Sequence, residues 1–397
     1  MKFSTGLFSV VLLFAFSISS CGPKPESQSD QKKFVRPDET DPTWEYVVKE
    51  KLTGKKVVVI DDNSCMVAFD NELRGIALSG KELWKTPITV GKHLTEILCL
   101  TRSKDGNFFV AGSAQDTASG EPYAWVAQLK STGEVTWQKT FTGIGPFENL
   151  VEAKNGDIAA SGISGRIVFL SRLKANGELL WSNYYDGVAY QGNGLCSTLE
   201  DGFALTAQGT TDSIVEGDPV RVIKTDKDGK LIWSKSFAVD KSPFPQQVFT
   251  DAAGNLMVIG KSTDKGEHDG PFALQIDGAG NKISVKTNYW EDDVVDVVTD
   301  VKLTPEGNYM LCGDLFNFKV PRRVFVGEMD KSGTLLWSRS IGKKEEDRGG
   351  TALSILPNGS LLVLGYRSDV SNAPGNTTQI SFFTIPGNGG VGRKSDY

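Results

Sequence analysis

The stretch Val222-Ile-Lys-Thr-Asp226-Lys-Asp-Gly229-Lys-Leu-Ile-Trp233-Ser-Lys-Ser-Phe237 decides the fold, because its centre, Gly-x-x-x-Trp, returns along the chain. The other copies are Gly80-Lys-Glu-Leu-Trp84, Gly133-Glu-Val-Thr-Trp137, Gly177-Glu-Leu-Leu-Trp181 and Gly333-Thr-Leu-Leu-Trp337. Gly280-Asn-Lys-Ile-Ser284 keeps the spacing with serine in the tryptophan position. From position 84 the steps are 53, 44, 52, 51 and 53 residues, a period that marks a repeat architecture. Upstream of each tryptophan position after the first lies a second signature, a Gly-containing turn followed by an apolar run. Examples are Asp105-Gly106-Asn107 before Phe-Phe-Val-Ala-Gly112 and Asn155-Gly156-Asp157 before Ile-Ala-Ala-Ser-Gly162, and Asn358-Gly359 opens one more beyond the last tryptophan. The first repeat has only Asp61-Asp-Asn-Ser64 there. Asn-Gly, Asp-Gly and Gly-Asn make tight hairpins because glycine accepts positive φ at little cost.

Each repeat therefore reads as four short strands, A to D, with tight A–B and C–D turns and a longer B–C loop. Four-stranded units at this period predict a β-propeller. The units run near 55–89, 93–143, 146–187, 190–239, 243–291, 295–343 and 349–386. The last has no D strand, whereas Trp44-Glu-Tyr-Val-Val-Lys-Glu-Lys51 has the D-strand look and precedes the first A strand. The expectation is an all-β, seven-bladed propeller of four-stranded antiparallel blades closed by an N-terminal strand, with six or eight blades left open. Its domains would be a leader at 1–20, a flexible tether at 21–42, the propeller at 43–386 and a tail at 387–397. No long 3.6-residue apolar period appears after the leader, so almost no helix is expected.

The leader has Lys2, an apolar run from Leu7 to Phe16, and then Ile18-Ser19-Ser20-Cys21. The run is short for a membrane span, which needs about 20 apolar residues. Its end resembles the lipobox of bacterial lipoproteins. The resemblance implies cleavage before Cys21, a diacylglycerol on its sulfur and an acyl chain such as palmitate on the new amine, which together anchor stably. No Asp follows Cys21, which in that family points to the outer membrane.

The wording around Asp226 to Trp233 resembles a bacterial and archaeal repeat family of the form Lys-Thr-Asp-x-x-Gly-x-x-x-Trp. More loosely it resembles the tryptophan-docking repeats of pyrroloquinoline-quinone-type propellers. That resemblance implies that the D-strand tryptophans pack between neighbouring blades, a structural role worth about 3–5 kcal/mol each if buried. The anchored propeller as a whole resembles, in architecture, the propeller lipoprotein of the outer-membrane insertion machine.

Composition narrows the function. A net charge of −6 excludes the basic footprint of a nucleic-acid binder. Only two histidines, His93 and His268, limit metal and triad chemistry, and no nucleophile motif is present. No metal site and no cofactor are therefore assigned. Asp292, Asp293, Asp296 and Asp300 are dense, but their spacing departs from the strand period of two. Cys65, Cys99, Cys196 and Cys312 lie in apolar runs as buried thiols, with Cys65 and Cys99 the one pair worth checking for a disulfide.

The B–C loops vary, at Ala114–Pro122, Thr210–Pro219, Ser262–Pro271, Asp314–Arg323 and Arg367–Thr378, so binding is expected on their face. Around the central opening the residues just before each A strand should converge: His93, Glu96, Phe147, Glu148, Asn149, Tyr190, Gln191, Asn193, Phe244, Gln246, Asp293, Asp296, Asp347 and Arg348. Asp116-Thr117-Ala118 and Asp212-Ser213-Ile214 resemble Bacteroidetes O-glycosylation sites, which would place sugars on Thr117 and Ser213. The expected function is a lipid-anchored, non-catalytic module of the bacterial envelope that binds a protein or glycan. The alternatives are a funnel-site enzyme of polysaccharide-lyase or quinoprotein type, and a scaffold for envelope assembly.

Overall fold

Every B strand of this chain is a nearly unbroken apolar run, which a strand needs when both its faces are covered. The computed structural model shows what covers them. It describes residues 38–39, 42, 44–48, 50, 52–91, 93–115, 118–210, 219–263, 269–288, 295–317, 320–342, 346–369 and 379–388. All of these lie in the second of the two units, 1–31 and 32–397, into which the chain divides. The described residues form twenty-nine strands and no helix.

After β1 (Asp38–Glu39) and β2 (Trp44–Val48), blade 1 holds β3 (Lys56–Asp61), β4 (Ser64–Ala68), β5 (Glu72–Ala77) and β6 (Glu82–Pro87). Blade 2 holds β7 (Leu94–Arg102), β8 (Phe108–Gln115), β9 (Pro122–Leu129) and β10 (Val135–Phe141). Blade 3 holds β11 (Asn149–Glu152), β12 (Ile158–Ser164), β13 (Ile167–Leu173) and β14 (Leu179–Tyr185). Blade 4 holds β15 (Val188–Ser197), β16 (Phe203–Thr210), β17 (Val220–Thr225) and β18 (Leu231–Phe237). Blade 5 holds β19 (Lys241–Thr250), β20 (Leu256–Thr263), β21 (Asp269–Ile276) and β22 (Lys282–Thr287). Blade 6 holds β23 (Val295–Leu303), β24 (Tyr309–Asn317), β25 (Val320–Met329) and β26 (Leu335–Ile341), with β1 parallel to β26 at its outer edge. Blade 7 holds β27 (Glu346–Ile355), β28 (Leu361–Asp369) and β29 (Gln379–Ile385). Its fourth strand is β2, antiparallel to β29 in the register Trp44↔Thr384 to Val48↔Ile380.

Each blade is an antiparallel meander, and the A strands touch in a closed circle from β3 through β27 and back to β3. This is a seven-bladed β-propeller, closed as the repeat arithmetic implied. Its apolar core is split into seven packets, one per blade interface. Phe109 and Val126 of blade 2, for instance, meet Ile158 and Phe169 of blade 3.

The repeated Gly-x-x-x-Trp is the joint between blades. The glycine ends the C–D turn at positive φ, and the tryptophan of the preceding blade lies flat on it. A Cβ on Gly133 would overlap Trp84, on Gly177 Trp137, on Gly229 Trp181, and on Gly280 it would crowd Trp233. The same turns accept hydrogen bonds from the preceding D strand, as from Trp84 Nε1 to Ser131 O at 3.0 Å and Thr86 Oγ1 to Gly133 O at 2.8 Å. Where Ser284 replaces tryptophan, polar groups take over: Asn288 Nδ2 donates to Gly333 O at 3.3 Å and Lys286 Nζ to Ser332 Oγ at 2.6 Å. At the closing joint the ring on Gly80 is Tyr46, from β2. The closing strand is also held by charge: Arg348 donates to Glu45 at 2.8 Å and Glu346 at 2.6 Å, and Arg367 lies 3.4 Å from Glu45.

Two expectations need correction. Asp314–Arg323 is not an irregular loop, because β24 and β25 continue pairing through Leu315↔Arg323 to Asn317↔Val320, with the Arg322 guanidinium 4.8 Å over the Phe316 ring. The A strands also begin earlier than expected, so most of the anticipated rim residues lie within their first halves.

Candidate functional site

A sheet strand normally turns alternate side chains to opposite faces, but the A strands break that rule where they reach the hub. In blades 2, 5, 6 and 7 the A–B pairing skips one residue, namely Leu98, Gln246, Thr299 and Thr351. In blade 3 Glu148 holds the corresponding place, just before β11. Such a β-bulge re-aims a side chain. Its cause is the glycine that ends the apolar run of the B strand. A Cβ on Gly112, Gly260 or Gly365 would overlap the A-strand carbonyl oxygen of Glu96, Phe244 or Gly349 respectively, and one on Gly162 that of Pro146, which leads into β11. The absent side chain lets the A strand fold inward there, and Leu98, Glu148, Gln246 and Thr299 line a central chamber.

That chamber has a volume of about 420 Å³ and is walled by A strands of blades 1 to 6. Lys56, Glu148, Asn149, Gln246, Gln247, Thr299, Asp300 and Lys302 give it a polar lining, interrupted by Leu98, Cys99, Leu100, Leu150 and Leu195. Asp300 is buried, yet its carboxylate accepts from Lys302 Nζ at 2.8 Å, Val301 N at 2.9 Å and Leu353 N at 3.0 Å. Burial pushes its pKa up, but the Lys302 and Lys56 charges and these hydrogen bonds outweigh that and hold it below the usual carboxylate range. The Lys56 side chain forms no hydrogen bond or ion pair among the described residues, although its charge acts on Asp300. Glu148 has no side-chain partner among them either, and burial alone lifts its carboxyl to about 7. Gln247 Oε1 accepts from Leu195 N at 3.3 Å and Val248 N at 3.0 Å.

Of the expected rim residues, Glu148, Asn149 and Gln246 line this chamber. Glu96 lies on the surface, tied to Lys55 at 2.7 Å. His93 sits half-buried, edge-on to Tyr123 at 5.7 Å, and its Nδ1 is buried without a hydrogen bond. Phe147 is not on a rim. It is fully buried in the packet between blades 2 and 3, where its N–H donates to Gly112 O. Arg348 is likewise buried, in the closing network of blade 7. Asp347 accepts from Arg322 N at 2.7 Å beside Asp314, whose carboxyl burial raises to about 6. Phe244 lies in β19, partly exposed. Tyr190, Gln191, Asn193 and Asp296 belong to A strands, and their side chains lie outside what is described, as do Asp293, Thr117 and Ser213 altogether.

The sequence reading missed Lys56, Gln247 and Lys302. The available signal was Asp300 and Lys302, opposite charges two apart on one strand face inside an apolar run. The four thiols are free, and burial pushes Cys65 and Cys99 up to about 12. Among the described residues no three His, Cys, Asp or Glu gather as a metal-holding group. A quinone bearing several carboxylates does not fit the chamber. Among the described lining residues Lys56 is the one cation without an ion pair, Lys302 is already engaged with Asp300, and the tryptophans of the Gly-x-x-x-Trp repeats are spent on the blade joints.

No curated protein matches the chain. Among solved structures, the WD40 domain of Neurospora crassa Pan2 is similar with a TM-score of 0.54 and 8% identity, over 89% of this chain and 100% of that one. Drosophila Plexin A, solved in complex with Semaphorin 1b, gives 0.51 and 8%, over 88% of each. Both show the fold alone. A protein of unknown function from Bacteroides caccae gives 0.43 at 16% identity, over 62% of this chain and 86% of that one. The family model PQQ_2, described as outer membrane protein assembly factor BamB, matches residues 62–288, which run from the first turn of blade 1 to the end of blade 5. Matched over more than half its length, the chain belongs to the family of the outer membrane protein assembly factor BamB.

Proposed function

We propose that this propeller is a lipid-anchored scaffold of the bacterial envelope that holds a protein partner on the face carrying its B–C loops. Cleavage before Cys21 and acylation of that residue would tie the ring to the outer membrane, with the chain from 21 as tether up to β1, which pairs with blade 6 at Asp38–Glu39, and 387–397 as a tail. The observation that carries the reading is the family match over 62–288 on a rigid ring. A family described by outer-membrane assembly supports a protein partner over a glycan. The ring supports it physically. Interlocked blade joints hold the loops in fixed relation, and loops on a rigid scaffold are where recognition concentrates. Its short A–B and C–D turns are uniform from blade to blade, which suits packing more than discrimination.

The test has two arms in cells making the full chain. Cys21→Ala should move the protein from the membrane fraction to the soluble fraction. Crosslinking of the anchored protein should capture a specific envelope protein, and replacing residues 116–121 and 211–218 with short Gly-Ser links should remove that capture. Undiminished capture by the shaved ring, or membrane association unaffected by Cys21→Ala, would sink the corresponding half of the proposal.

A further inference from the structure

The hub chamber carries two charges, on separate walls, that no ion pair among the described residues matches. On the blade 1 and 6 side, Lys56 and Lys302 share the single carboxylate of Asp300, so one positive charge is in excess. On the blade 3 side stands Glu148, with no cation acting on it. Between them is blade 2, whose Cys99 thiol feels both Lys56 and Glu148. The two groups therefore face one space without neutralising each other. The amides of Asn149, Gln246 and Gln247 supply further donors and acceptors around it. Leaving charged groups partly desolvated and unpaired is unfavourable, and a ligand carrying the complementary pair relieves both at once. The volume of about 420 Å³ falls within the ~300–1,000 Å³ range of small-molecule sites.

We infer that the hub chamber binds a small zwitterion of amino-acid or dipeptide size, its carboxylate on Lys56 and its ammonium on Glu148. A simple anion would leave Glu148 unmatched, and a simple cation would leave Lys56 unmatched. The inference is independent of the partner-binding face, since the chamber is built by A strands and not by the B–C loops.

Glycylglycine is the probe, titrated calorimetrically into the soluble full-length Cys21→Ala protein at pH 7, with acetate and ethylamine as single-charge comparisons. Glycylglycine should bind saturably at one site and more tightly than either comparison. Its ammonium should drive Glu148 to ionise. Because burial lifts that carboxyl to about 7, part of the population is protonated at pH 7, and binding should release that fraction of a proton, read from the difference between phosphate and imidazole buffers. Cys99, raised to about 12, cannot supply that proton, and Asp300 is already ionised. Lys56→Met and Glu148→Gln should each weaken binding about tenfold or more, with folding checked by circular dichroism. No saturable binding, acetate binding as tightly as glycylglycine, or no proton release from the unsubstituted chamber would each overturn the inference. The proton count needs neither chamber variant, so a misfolded substitution does not protect the idea.

Discussion

Replacing Gly177 with alanine probes the joint between blades 2 and 3 in a way that separates two costs. Gly177 has φ +80, and an added Cβ would stand 2.5 Å from Trp137 Cζ3 and 2.9 Å from Lys139 Cγ. Gly156 in the same blade has φ +85 with nothing within 4 Å. Both substitutions place an alanine at positive φ, which costs about 1–2 kcal/mol. Only Gly177→Ala also drives a methyl into the tryptophan of the neighbouring blade, and overpacking of that kind adds about 1–3 kcal/mol. Gly177→Ala should therefore destabilise the ring by about 2–5 kcal/mol and Gly156→Ala by about 1–2 kcal/mol. Guanidinium unfolding followed by far-ultraviolet circular dichroism gives both values from the midpoints, provided the slopes agree. Trimming the partner should relieve the clash, so Trp137→Ala with Gly177→Ala should cost less than the sum of the single changes. If the two alanine variants unfold within about 0.5 kcal/mol of each other, the glycine is present for its turn alone and the interlocked joint is wrong.

Three further outcomes follow from the hub and the closure. Glu148, lifted to about 7 by burial, binds a proton more readily in the folded chain than in the unfolded one, so its share of stability is complete at low pH and declines as pH rises through about 7. Unfolding measured at pH 6 and pH 8 should differ by about 1 kcal/mol from this group, and Glu148→Gln should remove that difference. Arg348→Met removes the buried cation from Glu45 and Glu346, leaving them only the more exposed Arg367, and should cost about 3 kcal/mol, with earlier proteolytic cutting around β2; unchanged protease sensitivity would contradict a closing role. Gly260→Ala pushes a methyl into the Phe244 carbonyl and should cost about 3 kcal/mol while altering the chamber at Gln246, readable as weakened glycylglycine binding in whatever fraction stays folded.

How much of this could be read from the chain alone differs between rim and hub. The blades were legible because their turns demand glycine at positive φ and their joints demand an aromatic at a fixed offset, so both requirements leave marks in sequence. The closing strand was legible for the same reason, since Trp44 to Val48 has D-strand wording without a blade of its own. The hub was not. Glycines such as Gly112 and Gly260 were visible as the ends of apolar runs, but their effect is to admit a carbonyl from another strand. Only a folded pair reveals that contact and the bulge it produces. Phe147 and Glu148 are neighbours in sequence, and that local geometry sends one into the inter-blade core and the other into the chamber. Lys56 was not legible because nothing in the first repeat signals that its charge acts on a carboxylate, Asp300, supplied by blade 6.

The half-and-half construction of the joints has a bearing on how such a chain can lengthen or shorten. From blade 2 to blade 4, every unit presents a glycine turn to its predecessor and an aromatic plate to its successor. Copying one such unit in tandem yields two that mate with each other and with their former neighbours. The junction of blades 5 and 6, fastened by Asn288 and Lys286, and the junction sealed by Tyr46 do not share this interchangeability. Duplication or loss of a unit is thus tolerated in one arc of the circle and penalised in the other, and relatives with a different number of blades should differ from this chain within the permissive arc.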